Sequence, residues 1–175
     1  MPTSDDATVF DRQPCLDGDS VALRPLRAAD FEALYTVAAD PEIWAQHPAS
    51  NRHELAVFRS FFDNAMASGG ALVAIDSAKQ QIIGSSRYHG WDAARREIEI
   101  GWTFLARDYW GGRYNGEMKR LMLRHAFQFV DHVLFRIGVT NIRSQRAAEK
   151  IGASRIGAST DASGIESYVY RLSAQ

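Results

Sequence analysis

The sequence predicts an α/β (α+β) fold: a mixed, mostly antiparallel twisted sheet of about seven strands with helices on both faces. Three observations predict it. ALVAID (71–76), IIGSSRYHGW (82–91) and EIEIGWTFL (97–105) have strand composition and are joined by short links, which implies antiparallel neighbours. Between residues 114 and 129 the positions Tyr114, Met118, Leu121, Met122, His125 and Phe129 recur at spacings of three and four, the period of a helix buried on one side. A further strand pattern, 134–140, and a helix pattern, 143–151, follow directly.

Taken in order, residues 1 to about 15 read as a loosely held arm before one domain that spans the 175 residues. Val21-Ala-Leu-Arg-Pro-Leu alternates like a short strand, and 28–39 follows a helical pattern through Phe31, Leu34, Tyr35 and Ala38. Pro41 after Asp40 suits the first position of a short helix with Ile43 and Trp44 on its apolar side. The segment 51–68 places Leu55, Phe58, Phe61, Phe62 and Met66 at helical spacing, most of them expected in the core, and Gly69-Gly70 stops it. After Gly152, residues 153–159 and 167–172 form a closing hairpin about the 160–164 loop. The sheet edge after Ser167 leaves room for pairing across a homodimer.

Composition removes several function classes. A formal net charge of −1 and a pI near 6.5 lack the basic excess of a nucleic-acid surface. The single cysteine, Cys15, allows neither an internal disulfide nor a thiolate metal cluster, and the five histidines show no metal-ligand spacing, so no metal is expected. The start MPTSDDATVFDRQP has no signal-peptide blocks, and no apolar run approaches the ~18 residues of a membrane span, so no membrane is expected and a cytoplasmic location is.

The chemistry concentrates at YWGGRYNGEMKRLMLRHAFQF (109–129), a glycine-rich turn running into a helix. Gly111, Gly112 and Gly116 free the backbone and leave no Cβ against a ligand, and Asn115 suits a turn or N-cap. Free amides at a helix N-terminus favour an anion, here a phosphate or pyrophosphate. A nucleotide P-loop would need Lys and Ser/Thr where Glu117 and Met118 stand. No G-x-S-x-G elbow supports a serine hydrolase. On strand 97–105, period-two alternation places Glu97 and Glu99 on one face, about 7 Å apart, and Ile98, Ile100, Trp102 and Phe104 on the other. Gly101 inside that strand signals a bulge or a close approach.

Three pieces, EIGW, YWGGRYNGE with its helix, and N-x-x-S leading to EKIGA, together resemble the GNAT superfamily of acyl-CoA N-acyltransferases, specifically its ribosomal-protein N-terminal acetyltransferase (RimJ/RimL-type) branch. The resemblance runs from about Val21 to Leu172 and is strongest between Glu99 and Gly152. It implies transfer of acetyl from acetyl-CoA, the co-substrate, to an amine acceptor. It also implies pyrophosphate contacts from Gly111, Gly112, Arg113, Tyr114, Asn115 and Gly116, and backbone pairing of the pantetheine with Trp102, Thr103 and Phe104. The family's Q/R-x-x-G-x-G/A loop has Gly or Ala where this chain has Arg113: either Gly112 and Gly116 take over or Arg113 adds a charge. Glu99 matches the family's EIG glutamate, a candidate base. Asn141, otherwise an N-cap, matches an asparagine that contacts pantetheine, and Ser144 a serine that could protonate the leaving thiolate. His53 and His89 are alternative bases, and His125 reads as core. A non-catalytic acyl-CoA-binding or regulatory module and a nucleotide-binding domain are the competing readings.

Overall fold

The structure, a computed structural model, describes residues 9–175. Its strands are β1 (Leu16–Asp17), β2 (Val21–Pro25), β3 (Ala71–Asp76), β4 (Gln81–Asp92), β5 (Glu97–Leu105), β6 (His132–Gly138), β7 (Ser154–Thr160) and β8 (Glu166–Ser173). The helices are α1 (Phe31–Ala38), α2 (Leu55–Ser68), α3 (Arg113–Ala126) and α4 (Ile142–Lys150). All eight strands join one sheet in the order β1-β2-β3-β4-β5-β6-β8-β7. Every neighbouring pair is antiparallel except β5 with β6, which α3 connects as a crossover.

Local chemistry sets the boundaries. The Asp76 carboxylate accepts from the amides of Ala78 and Lys79 at 2.9 and 3.1 Å, closing the turn that makes β3 and β4 neighbours. Gly69 ends α2 in the left-handed conformation at φ 63°, the glycine stop the sequence predicts. Asp40 caps Pro41–Ile43 by accepting from the Glu42 amide at 3.0 Å. Asn141 caps α4 through the Ser144 amide at 3.2 Å.

The sheet separates two apolar cores. Met118, Leu121, Met122 and Ala126 of α3 pack with Ile98 and Ile100 of β5 on one face. Phe31, Leu34 and Ala38 of α1 pack with Phe58, Phe61 and Phe62 of α2 and with Trp44 and Phe104 on the other.

Two expectations change and a third is sharpened. Leu55 and Met66 are 50% and 39% exposed, because only the Phe58, Phe61, Phe62 and Ala65 side of α2 meets the sheet. Residues 9–15 are not a loose arm: Phe10 is buried in edge contact with Tyr88, His125 and Phe129, and the Asp11 carbonyl lies 2.7 Å from His125 Nε2. Residues 1–8 of that expected arm lie outside the described residues. Finally, β8 is flanked by β6 and β7, so the free edge at that end of the sheet is β7 rather than the strand after Ser167.

Candidate active site

A cleft opens where two strands part. β5 and β6 pair only at Glu97–His132, Ile98–Val133 and Glu99–Leu134, yet β5 runs on to Leu105 and β6 to Gly138. Beyond Glu99 the β6-facing edge of β5 therefore has no ladder partner among the described residues. Its amides and carbonyls can pair with an extended ligand, in the manner of an added strand.

Within that edge Trp102 has a φ of 52°, and the register against β4 slips between Ser85 and Arg87. The bulge signalled by Gly101 is thus real, and it inverts the alternation that follows it. Ile98 and Ile100 face the α3 core, but Phe104 faces the α1–α2 core with Trp102 packed against it. The single apolar face expected for Ile98, Ile100, Trp102 and Phe104 does not exist. Positive φ is unfavourable for a bulky residue. Here Arg87, 4.6 Å from the Trp102 ring centroid, and His89, edge-on at 5.1 Å, hold the ring in place. Thr103 turns towards α3, where Lys119 Nζ donates to its Oγ1 at 2.8 Å.

A cavity of about 500 Å³ occupies the cleft. Gly101, Trp102, Thr103 and Phe104 form one wall, and Gly111, Gly112, Asn115, Gly116 and Lys119 the N-terminal turn of α3 beside it. Asn141 and Ser144 enter from α4; Trp44, His47 and Arg52 enter from the connection between α1 and α2.

The glycine loop is shorter than the sequence implies. α3 begins at Arg113 with Gly112 as N-cap, so Asn115 and Gly116 are helical and Asn115 is no cap. Gly111 takes the left-handed conformation at φ 67°. No side chain caps α3, which leaves its first amides to a ligand or water. A Cβ at Gly111 or Gly116 would meet no protein atom within 4 Å, so the space beside them is open. The Tyr114 and Arg113 side chains stand away from the cavity: Tyr114 packs edge-on against Tyr109, and Arg113 lies over the Tyr114 ring.

Asn141 is buried with its Oδ1 engaged in capping, and Ser144 is half-buried at the cavity wall. Glu99 is only 7% exposed. It accepts a charged hydrogen bond from Arg136, and Arg136 itself reaches the cavity. Burial lifts the Glu99 carboxyl above its ordinary range, against the opposing pull of Arg136 and His89. Glu97 lies instead in a separate open depression with Arg95 and His132.

Among the histidines, His53 and His89 do not line the cavity. His47 does, but its Nδ1 accepts the Ala49 amide at 2.9 Å. Burial and the Arg52 charge lower its pKa to about 4, so the ring is neutral with its one lone pair in use. Spacing gave no signal for His47, Arg52, Arg87, Lys119 or Arg136, because they come from four separate elements. Burial pulls Lys119 to about 8. Arg143, 3.7 Å from the Trp110 ring centroid, donates to the Ile43 carbonyl at 3.3 Å and ties α4 to the opposite wall. Glu117 accepts from the amides of Asp19, Ser20 and Val21 at 2.7 to 3.2 Å, which fixes α3 to the start of the sheet.

Comparison with known proteins gives the family and the fold. The acetyltransferase (GNAT) domain model matches residues 20–154. A protein from T. thermophilus assigned as an acetyltransferase is 26% identical, with a TM-score of 0.74, over 91% of this chain and 88% of that one. A GCN5-related N-acetyltransferase from Brucella melitensis, at 19% identity, gives a TM-score of 0.81 over 92% of this chain and 79% of its own. Mycobacterium smegmatis RimJ, solved with CoA-disulfide, is 17% identical with a TM-score of 0.70 over 88% of this chain and 82% of its own. At those identities the last two speak to the fold alone. No described helix is long and apolar enough to cross a membrane, and no group of three or more His, Cys, Asp or Glu among the described residues is placed to hold a metal ion.

Proposed function

The chain belongs to the GNAT acetyltransferase family, whose members transfer an acyl group from acyl-CoA, and from that premise we propose that it moves acetyl from acetyl-CoA to a primary amine by direct attack. One observation carries the reading: the unpaired edge of β5 and the uncapped start of α3 meet in one cavity.

The residues fit the co-substrate. The first amides of α3, reached past Gly111, Gly112 and Gly116, present donors and the positive end of a helix dipole to a pyrophosphate. The edge from Trp102 to Phe104 offers backbone pairs to an amide-bearing arm, and Asn141 lines the same cavity. Acetyl-CoA supplies the thioester; the protein supplies position and proton transfer.

An ammonium must lose its proton before it can attack. Glu99 sits behind Arg136 rather than on the cavity wall, so it takes that proton through a water at the cavity margin. Burial raises its pKa, which improves it as a base, and the Arg136 and His89 charges oppose that rise. Ser144, at the wall beside the start of α4, is the donor to the departing thiolate. The acceptor enters between Trp44, His47 and Arg52 and is a protein N-terminus or a small-molecule amine.

The test is release of CoA thiol from acetyl-CoA against a panel of primary amines and peptides. Amine-dependent release supports the proposal. Tight CoA binding with no release for any amine would leave a non-catalytic acyl-CoA-binding module.

A further inference from the structure

Arg87 helps to hold the Trp102 ring, but neither fold nor mechanism uses its charge. It is 6% exposed, and its Nε and Nη2 are fully buried without a hydrogen-bond partner. Burial alone lowers its pKa, to about 10, so it remains a cation at neutral pH. Its guanidinium carbon lies 4.6 Å from the Trp102 ring centroid and 5.6 Å from that of Phe61. Arg52 covers Phe61 at 4.6 Å and Trp44 at 5.3 Å, and reaches the cavity directly. Each of the two guanidiniums has its pKa lowered, and the charge of Arg87 contributes at Arg52.

Two like charges thus share one aromatic nest. None of the ion pairs among the described residues includes either of them. Cation–π contacts recover only part of the hydration that a buried guanidinium gives up, and an unpaired buried charge is costly to keep. The neighbouring groups add no negative charge: His47 is neutral, and Glu99 is committed to Arg136. The missing counter-charge has to arrive with a ligand.

The position of the nest indicates which ligand. Arg87 is the register partner of Gly101, which lines the cavity beside Trp102, and Arg52 enters the cavity from the α1–α2 connection, an element separate from α3, whose first amides would hold CoA. A free anion site on that wall belongs to the acceptor. Resting on the acyl-transfer reading above, we infer that the acceptor amine carries a carboxylate, which Arg52 binds at the cavity wall between Trp44 and Trp102, with the charge of Arg87 behind the Trp102 ring adding to the attraction. Planar guanidinium forks match a carboxylate in a bidentate fashion, and the aromatic walls suit the carbon chain between amine and acid. A site whose buried donors expect an acid discriminates strongly against the neutral isostere, because that isostere leaves the donors unpaired.

The experiment compares matched acceptors at saturating acetyl-CoA, reading CoA release. Short peptides beginning with Asp or Glu are set against the same peptides beginning with Asn or Gln. ω-Amino acids are set against their amides, since a distant carboxylate leaves the basicity of the amine nearly unchanged. The acid should win in at least one series by about 10- to 100-fold in kcat/KM. Arg87→Gln and, independently, Arg52→Gln should each bring that ratio towards one, and Arg87→Lys should restore part of it. Arg52 stands at the cavity wall, so its variant gives an answer even where Arg87→Gln does not fold. Equal kcat/KM within every pair overturns the inference and leaves acyl transfer intact; so does an acid preference that survives both Gln variants. A preference only for O-phosphorylated amines overturns the carboxylate assignment. No release with any amine overturns the acyl-transfer reading, and the inference with it.

Discussion

The two ends of the cavity are built from different materials. At the α3 end recognition falls to backbone: the amides that follow Gly112 and the open edge of β5. At the α1–α2 end the wall is made of side chains, Trp44, His47 and Arg52 from the connection between helices, backed by Phe61 from α2 and Arg87 from β4. Backbone recognition suits a co-substrate that every family member shares, since it tolerates wide sequence change as long as glycines keep Cβ atoms away. Side-chain recognition suits an acceptor that differs from member to member. The first end offers the uncapped amides of a helix terminus; the second holds two cations with no ion-pair partner among the described residues.

The sharpest way to break this contrast is Gly112→Val. Gly112 has extended backbone, φ −114° and ψ −161°, and a Cβ there lies 4.0 Å from its nearest protein neighbour. Valine therefore fits the chain but not an approaching phosphate. Loss of two charge-assisted hydrogen bonds predicts CoA binding weaker by at least about 100-fold, with only a small change in melting temperature. Titration calorimetry that finds parental affinity in the valine variant would move the pyrophosphate elsewhere.

Glu99→Gln comes next and tests where the ends meet. Turnover should fall at least about tenfold near pH 7 with the acceptor saturating, and the deficit should shrink as pH rises and free amine becomes abundant. Because burial holds the Glu99 carboxyl above its ordinary range, the acid limb of the parent's kcat/KM profile should also lie above that range. Glu97→Gln, in the separate depression, should change little. Full activity of Glu99→Gln from pH 6 to 9 would pass the base role to a water chain.

The same contrast explains how much could be read from the chain. The α3 end was legible because each of its parts is local: a glycine pair before a 3.6-period helix, an alternating strand with Gly101, an asparagine before a helix. Even there, boundaries slipped where local signals conflicted. Gly116 reads as loop, but lies in the first turn of α3, whose Glu117 accepts three amides from the β1–β2 turn. The inverted face of Phe104 was illegible, since a bulge is signalled by Gly101 while its exact residue is set by contacts of Trp102 with Arg87 and His89. The α1–α2 end was illegible because His47, Arg52, Phe61 and Arg87 are neighbours only after folding.

The α3 end also depends on how that helix is held, which makes Glu117 a smaller but separable test. Burial alone would raise this carboxyl, yet the amides of Ser20, Asp19 and Val21 hold it below the ordinary range. Its contribution is therefore present above the unfolded pKa and is lost as pH falls through the folded one. Glu117→Gln puts an NH₂ against those donors and should cost about 1 to 3 kcal/mol in urea unfolding at pH 7, with less cost in acid. An unchanged midpoint at pH 7 would show that the helix is anchored by its apolar face alone.

The smallest expected effect belongs to the α1–α2 end and reads its burial first and its charge second. His47 has its pKa lowered to about 4 by burial first and by the Arg52 charge second, whereas in the unfolded chain it returns to about 6.5. Between those values the unfolded chain binds a proton that the folded chain refuses, so stability must fall as pH drops through that window and level off below about 4. From pH 7 to 5 the titration covers about 1.5 units at 1.36 kcal/mol each, or about 2 kcal/mol at most, and partial exposure of the ring brings the expectation to about 1 to 2. His47→Gln keeps a polar side chain near the Ala49 amide but cannot titrate. It should therefore lose less stability than the parent over that range, by about the same 1 to 2 kcal/mol, in urea titrations at each pH. Parallel curves for the two proteins would mean that the folded chain leaves His47 hydrated enough to titrate as it does when unfolded.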